Sequence, residues 1–135
     1  MNTAQPDRIR MKTRILLMDD DSRYLDLLRM MLESDGYDVA TGTNGSELPE
    51  LVSRHAPHVI VLDVLMGSLN GVSLAHELRQ TSSSADTPII FVSAWTGARD
   101  IKLPKNSYRV FKPFTHSEIT SAIEQALGKT ATSVN

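Results

Sequence analysis

The stretch Val59-Ile60-Val61-Leu62-Asp63 decides how the rest of the chain is read. Four aliphatic residues in succession, three of them β-branched, leave no polar position to face water. Such a run reads as a strand buried on both faces. It stops abruptly at a carboxylate. Two more segments have the same form: Ile15-Leu16-Leu17-Met18 stops at Asp19-Asp20-Asp21, and Ile89-Ile90-Phe91-Val92 stops at Ser93. Residues 108–111 form another strand ending at Lys112-Pro113, and residues 37–41 a weaker one.

Helical patterns separate these strands. In Ser22–Ser34, Leu25, Leu28 and Leu32 share one face, Asp21 or Ser22 can cap the first turn, and Gly36 suits the left-handed position after it. Residues 46–55 turn Leu48, Leu51 and Val52 inward, with Pro49 in the first turn, where proline is tolerated. Asn70-Gly71 opens a helix to about Gln80 that offers Val72, Leu74, Ala75 and Leu78 for burial. The last helix, capped by Thr115 or Ser117, places Ile119, Ile123 and Leu127 on one face and ends at Gly128. Ser82-Ser83-Ser84 reads as a loop. Between Trp95 and Ser107, Gly97, Pro104 and Asn106 predict a helix that is short or missing.

Strands that alternate with helices and are apolar throughout predict an α/β fold with a doubly wound, five-stranded parallel sheet. In such sheets the functional crevice lies at the carboxyl ends of the strands. Those ends carry Asp19, Asp20, Asp21, Asp63, Ser93 and Lys112. Crowded carboxylates repel unless a cation joins them, and an all-oxygen site suits Mg2+. A carboxylate can also act as a nucleophile and form an acyl phosphate. Taken singly, each residue has a plainer explanation: the acidic triplet can cap a helix, Asp63 can sit in an ordinary loop, and Lys112-Pro113 can form a solvated turn. Their conjunction at the ends of parallel strands is what points to chemistry.

The 135 residues fit one domain, with 1–12 a loose polar arm, 13–128 the folded unit and 129–135 a tail or linker. A net charge of −2 provides no basic excess for nucleic acid. With no cysteine, disulfides and thiolate metal sites are excluded. No apolar run approaches the roughly 20 residues that span a bilayer. Arg8, Arg10 and Lys12 precede no apolar signal segment, so a cytoplasmic domain is expected. His55, His58, His76 and His116 are scattered and suggest no site.

At Ile15 to Ser22, at Val59 to Asp63 with Met66 and Asn70-Gly71, at Pro88 to Ala94 and at Lys112-Pro113-Phe114, the chain resembles the response-regulator receiver domains of two-component signalling. The resemblance covers residues 13–127. It implies a flavodoxin-like strand order 2-1-3-4-5, with Asp63 as phosphoryl acceptor and Mg2+ bound by Asp20, Asp63 and the Leu65 backbone carbonyl, Asp19 acting nearby. It implies that Ser93 and Lys112 contact the phosphoryl group and that the bond before Pro113 is cis. The implied partners are a histidine kinase or histidine phosphotransfer protein as donor, and a downstream protein or attached output domain as target. A monomer or weak dimer is expected, with no separate substrate turned over. Three departures stand out: Gly67 replaces the usual proline after Met66, Arg109 occupies the switch-aromatic position with Tyr108 on the opposite face, and the segment from Ser93 to Lys112 is short. Leu65 and Trp95, flanking the path of an attacking water, predict slow self-dephosphorylation. Two other readings remain. A small aspartate-nucleophile phosphatase would need an acid two residues after its nucleophile, as Asp21 follows Asp19. A mononucleotide binder would need a phosphate loop where the acidic triplet stands.

Overall fold

The computed structural model describes residues 12–81, 84–94 and 102–131. The elements are β1 (Arg14–Met18), α1 (Ser22–Ser34), β2 (Asp38–Gly42), a 3-10 turn (Gly45–Glu47), α2 (Leu48–His55), β3 (Val59–Asp63), the short strands β4 (Leu65–Met66) and β5 (Leu69–Asn70), α3 (Gly71–Leu78), β6 (Ile89–Ser93), β7 (Ser107–Phe111) and α4 (His116–Ala131). The main sheet has the order β2-β1-β3-β6-β7, and every pair in it is parallel. Leaving aside the small antiparallel hairpin β4–β5, this is the expected 2-1-3-4-5 arrangement.

Alternation along the strands explains the unbroken apolar runs. Ile15, Leu17, Val59, Val61, Ile90 and Val92 face one layer, packed with Leu25, Leu28 and Leu32 of α1 and Ile119 and Ile123 of α4. Leu16, Met18, Ile60, Leu62, Ile89 and Phe91 face the other, with Leu48 and Val52 of α2 and Val72, Ala75 and Leu78 of α3. Leu51 and Leu74 pack only part-buried at that layer's margin.

The helix ends follow local chemistry. The Asp21 carboxylate accepts from the N–H groups of Arg23 and Tyr24, and Asn70 does the same for Val72 and Ser73. Thr115 and Glu118 form a reciprocal capping box, each side chain accepting from the other's backbone N–H. Gly36 adopts φ +99°, as a glycine after a helix should.

Two expectations need correcting. Gly128 does not end the last helix, which continues to Ala131. A glycine stops a helix by turning left-handed, and among the described glycines only Gly36 and Gly67 have positive φ. The second helix is preceded by a 3-10 turn that Asn44 caps through Ser46 N–H, so its α-helical part begins at Leu48 rather than Ser46. In the connection between β6 and β7, residues 102–106 carry no helix, and Trp95 and Gly97 lie outside the described residues, as do Ser82 and Ser83.

One side chain ties the lower edge together. The Arg79 guanidinium, just past α3, donates to the carbonyls of Ser84, Lys105 and Asn106 at 3.2–3.3 Å. It thereby joins the loops that lead into β6 and β7. Arg79→Ala strands these carbonyls and should lower stability by about 2 kcal/mol, read as a shifted urea midpoint with an unchanged slope. His58 Nδ1 accepts from Arg14 N–H at 2.9 Å, and His116 Nε2 lies 2.6 Å from Asp35 Oδ2. Both histidines serve structure.

Candidate functional site

The same alternation that builds the α1/α4 layer aims the site. Continuing Ile15 and Leu17 by two residues gives Asp19, continuing Val59 and Val61 gives Asp63, and continuing Tyr108 and Val110 gives Lys112. All three sit at the carboxyl ends of their strands and on one side of the sheet, Asp63 as the last residue of β3 and Asp19 and Lys112 just past β1 and β7. The acidic triplet divides its work. Asp19 is buried and pairs with Lys112, Nζ to Oδ2 at 2.8 Å, while its Oδ1 accepts from Asp21 N–H. Asp20 is exposed, and its Oδ2 accepts from Gly67 N–H at 2.8 Å. Asp21 is the cap of α1.

Asp63 is 9% exposed. Its Oδ1 accepts from Leu65 N–H at 3.1 Å, and its Oδ2 lies 3.5 Å from Lys112 Nζ. Ser93 is buried at the end of β6, one residue past Val92, which is in register with Asp63. Its carbonyl accepts from Lys112 N–H at 2.9 Å. The Lys112–Pro113 bond is cis. The Leu65 side chain is 54% exposed on the hairpin next to the site. Tyr108 packs into the α1/α4 layer, which sends Arg109, in register with Phe91, to the other face.

Burial, and then the charge of Asp19, pushes the Asp63 carboxyl up to about 6, against the opposing pull of Lys112 and the Leu65 N–H. Burial works against the Lys112 ammonium, but its hydrogen bond to Asp19 and the fields of both carboxylates outweigh that and hold its pKa above the ordinary lysine value. The Tyr24 phenol is raised by burial and by the charges of Asp19 and Asp63, so it stays neutral.

Oxygens of Asp19, Asp20 and Asp63 all lie within 4.8 Å of one another. Three carboxylates beside one ammonium leave a formal charge of −2, which a divalent cation would offset. The donor set is all oxygen, so the residues present fit Mg2+.

The sequence matches the response regulator receiver domain family over residues 15–124. The chain belongs to that family. A probable transcriptional regulator, ycf27, of Porphyridium aerugineum is 32% identical over 86% of this receiver chain and 48% of its own length. The DNA-binding response regulator MtrA of Mycolicibacterium smegmatis is 30% identical over 87% and 51%. The receiver chain thus spans about half the length of the curated relatives it matches. Among solved structures, the receiver domain of the sensor histidine kinase PA1611 of Pseudomonas aeruginosa, with a magnesium ion in its active-site cleft, superposes with a TM-score of 0.78 at 25% identity, over 87% of this chain and 99% of that one. The chemotaxis regulator CheY4 of Vibrio cholerae shares the fold, with a TM-score of 0.78 at 22% identity, over 87% and 100%.

Sequence reading sees Gly71 only as a helix opening and family match, and passes over Tyr24. Gly71 opens α3 against β3, and a Cβ there would collide with the Asp63 carbonyl oxygen. Asn70-Gly71 signals the start of a helix, but not this backbone contact. Gly71→Ala must therefore move the Asp63 backbone, at a cost of about 1–3 kcal/mol. A lowered melting temperature together with slower phosphorylation is the expected result. The second residue, Tyr24, belongs to no motif. Its ring lies beneath Lys112.

Proposed function

We propose that this receiver domain takes a phosphoryl group onto Asp63 from a phosphohistidine of a kinase or phosphotransfer protein. The observation that carries the reading is a buried carboxylate with one oxygen held by a backbone N–H and the other facing a lysine. The P–N bond of the donor breaks as an Asp63 O–P bond forms, and water later hydrolyses the acyl phosphate. No other substrate is turned over. Mg2+ held by Asp19, Asp20, Asp63 and the Leu65 backbone carbonyl would supply charge neutralisation for the phosphoryl oxygens. Lys112 and Ser93 bind those oxygens as charge shifts during transfer.

The product adds about −1.5 to −2 charges at one point. The loop after β3 responds to it and alters a protein-binding surface, while the expected response after β6 falls largely on residues outside the described ones. The named functions of the longer relatives suggest that the output lies in an attached domain or a downstream protein. We assign the receiver unit to residues 13–128, continued by the last helical turn to Ala131.

The phosphatase alternative loses its residue. Asp21, the acid two positions after Asp19, has its carboxylate engaged as the α1 cap, and the residue two positions after Asp63 is Leu65. The acidic triplet likewise leaves no phosphate loop for a mononucleotide.

Titration with beryllofluoride, a phosphoryl mimic, followed by amide NMR tests the assignment. Saturable binding that requires Mg2+ and shifts the amides around Asp63, Ser93 and Lys112 is expected. No Mg2+-dependent binding, or binding that survives Asp63→Asn, would overturn it. The exposed Leu65 side chain also shields the acceptor from water. Leu65→Asn should shorten the lifetime of phospho-Asp63 several-fold, measured by decay of the radiolabelled protein. An equal lifetime would remove this role.

A further inference from the structure

Tyr24 stands in the first turn of α1, part-buried, and none of the motifs above includes it. Lys112 Nζ sits 4.4 Å from the centroid of its ring. Phe114, two residues beyond Lys112, meets the same ring edge-on, with centroids 6.0 Å apart and planes at 74°. The ammonium therefore has three neighbours that attract it: Asp19 at 2.8 Å, Asp63 at 3.5 Å and an aromatic face. Tyr24, Lys112 and Phe114, with Ala94 and Pro113, also line one open recess at the strand ends.

We propose that Tyr24 is a positioning residue for Lys112. Its π face keeps the ammonium between the two carboxylates and directed at the acceptor. The proposal rests on the assignment of Asp63 as acceptor made above.

A lysine stem is long and flexible, and Lys112 is 23% exposed. The carboxylates alone do not centre it, because the shorter contact to Asp19 draws it away from the acceptor. The negative face of an aromatic ring attracts a cation at this distance, more strongly where water is partly excluded. The ring is itself held. Its backbone N–H is tied to the Asp21 cap, and Phe114 fixes its tilt. Since Phe114 follows Lys112 by two residues, the segment that carries the ammonium also steadies the surface beneath it.

The ring acts here, not the hydroxyl. Tyr24 Oη is buried with no hydrogen-bond partner among the described residues. A phenylalanine keeps the face and loses only that oxygen, whereas a leucine fills similar space without a quadrupole.

The test uses the full 135-residue chain. In its NMR spectrum the Lys112 side-chain methylene protons should be shifted upfield by the ring current of Tyr24. Tyr24→Phe should keep that shift, and Tyr24→Leu should lose it while amides far from the site stay in place. With acetyl phosphate and Mg2+, Tyr24→Leu should lower the second-order phosphorylation rate about 2- to 30-fold, the range a cation–π contact spans. Tyr24→Phe should restore the rate. In a Lys112→Ala background, Tyr24→Leu should add no further loss. Full activity in Tyr24→Leu, or an equal loss with and without Lys112, would overturn the proposal. Failure of the wild type itself to take up phosphoryl would instead overturn the assignment of Asp63, while the ring-current shift would still report on Tyr24.

Discussion

Asp63→Asn should abolish phosphoryl uptake and, at the same time, make the metal-free domain more stable at pH 7. The first effect follows from removing the nucleophilic oxygen. The second follows from burial. Folding holds the Asp63 carboxyl at about 6, well above its ordinary value, chiefly by desolvation and then by the charge of Asp19. Between pH of about 4 and 6 the native state thus binds more protons than the unfolded chain, and stability falls as pH rises through that window. Above it the ionised carboxylate costs the fold about 1–3 kcal/mol. An asparagine has the same shape, can still accept from Leu65 N–H and carries no charge. Lys112 keeps its closer partner, Asp19, at 2.8 Å. Urea midpoints in EDTA at pH 4.5 and pH 7 should separate wild type from variant at the higher pH and bring them together at the lower. A variant less stable than wild type at pH 7 would show that the Lys112–Asp63 attraction outweighs the burial cost.

Lys112→Ala should have the opposite and larger effect, a loss of about 3–5 kcal/mol at pH 7, because it leaves buried carboxylates without their cation. Asp19 is 4% exposed and Asp63 9%, so neither can turn to water without moving the strand ends. At acid pH the Asp63 carboxyl, pushed up by burial and by the charge of Asp19, is neutral, and the part of the loss that it causes should vanish. Removing the lysine also removes the group that pulls the Asp63 carboxyl downward, which steepens the fall in stability between acid and neutral pH. Adding Asp63→Asn to Lys112→Ala should recover part of the loss, since one buried charge disappears. Equal destabilisation at pH 4 and pH 7 would mean that the lysine does not act through the charge of Asp63. Phosphorylation should fall with either variant, but only Lys112→Ala retains the acceptor, so prolonged exposure to acetyl phosphate should still label it slowly.

The sequence displayed the sheet and the acidic rim because both depend on period-two alternation. A strand that buries Val59 and Val61 toward one helix pair must present Asp63 on that side, and the same counting applies to Asp19 and Lys112. Residues whose roles depend on how elements cross were not visible. Tyr24 reaches Lys112 because α1 passes over the strand ends, and nothing in the spacing of a helix residue shows which distant lysine it will lie under. Gly71 reads only as the opening of a helix, since a missing Cβ cannot be seen to matter until the opposing carbonyl is placed. Gly128 looked like a stop because glycine is common there, yet the backbone continues right-handed. The acidic triplet could be read as a cap or as a metal site; Asp21 is the cap, while Asp19 and Asp20 lie beside Asp63.

Gly67 replaces the usual proline, and its amide contact with Asp20 has a thermodynamic consequence. Proline has no amide hydrogen to offer. Glycine does, and at φ +60° it presents that hydrogen to Oδ2 of an otherwise solvated carboxylate. Asp20 is thereby oriented before any ion arrives, so the entropy of fixing its rotamer is spent during folding and not at capture. An ion captured by this carboxylate would tighten the turn, and the formed turn would by the same coupling raise the affinity for the ion.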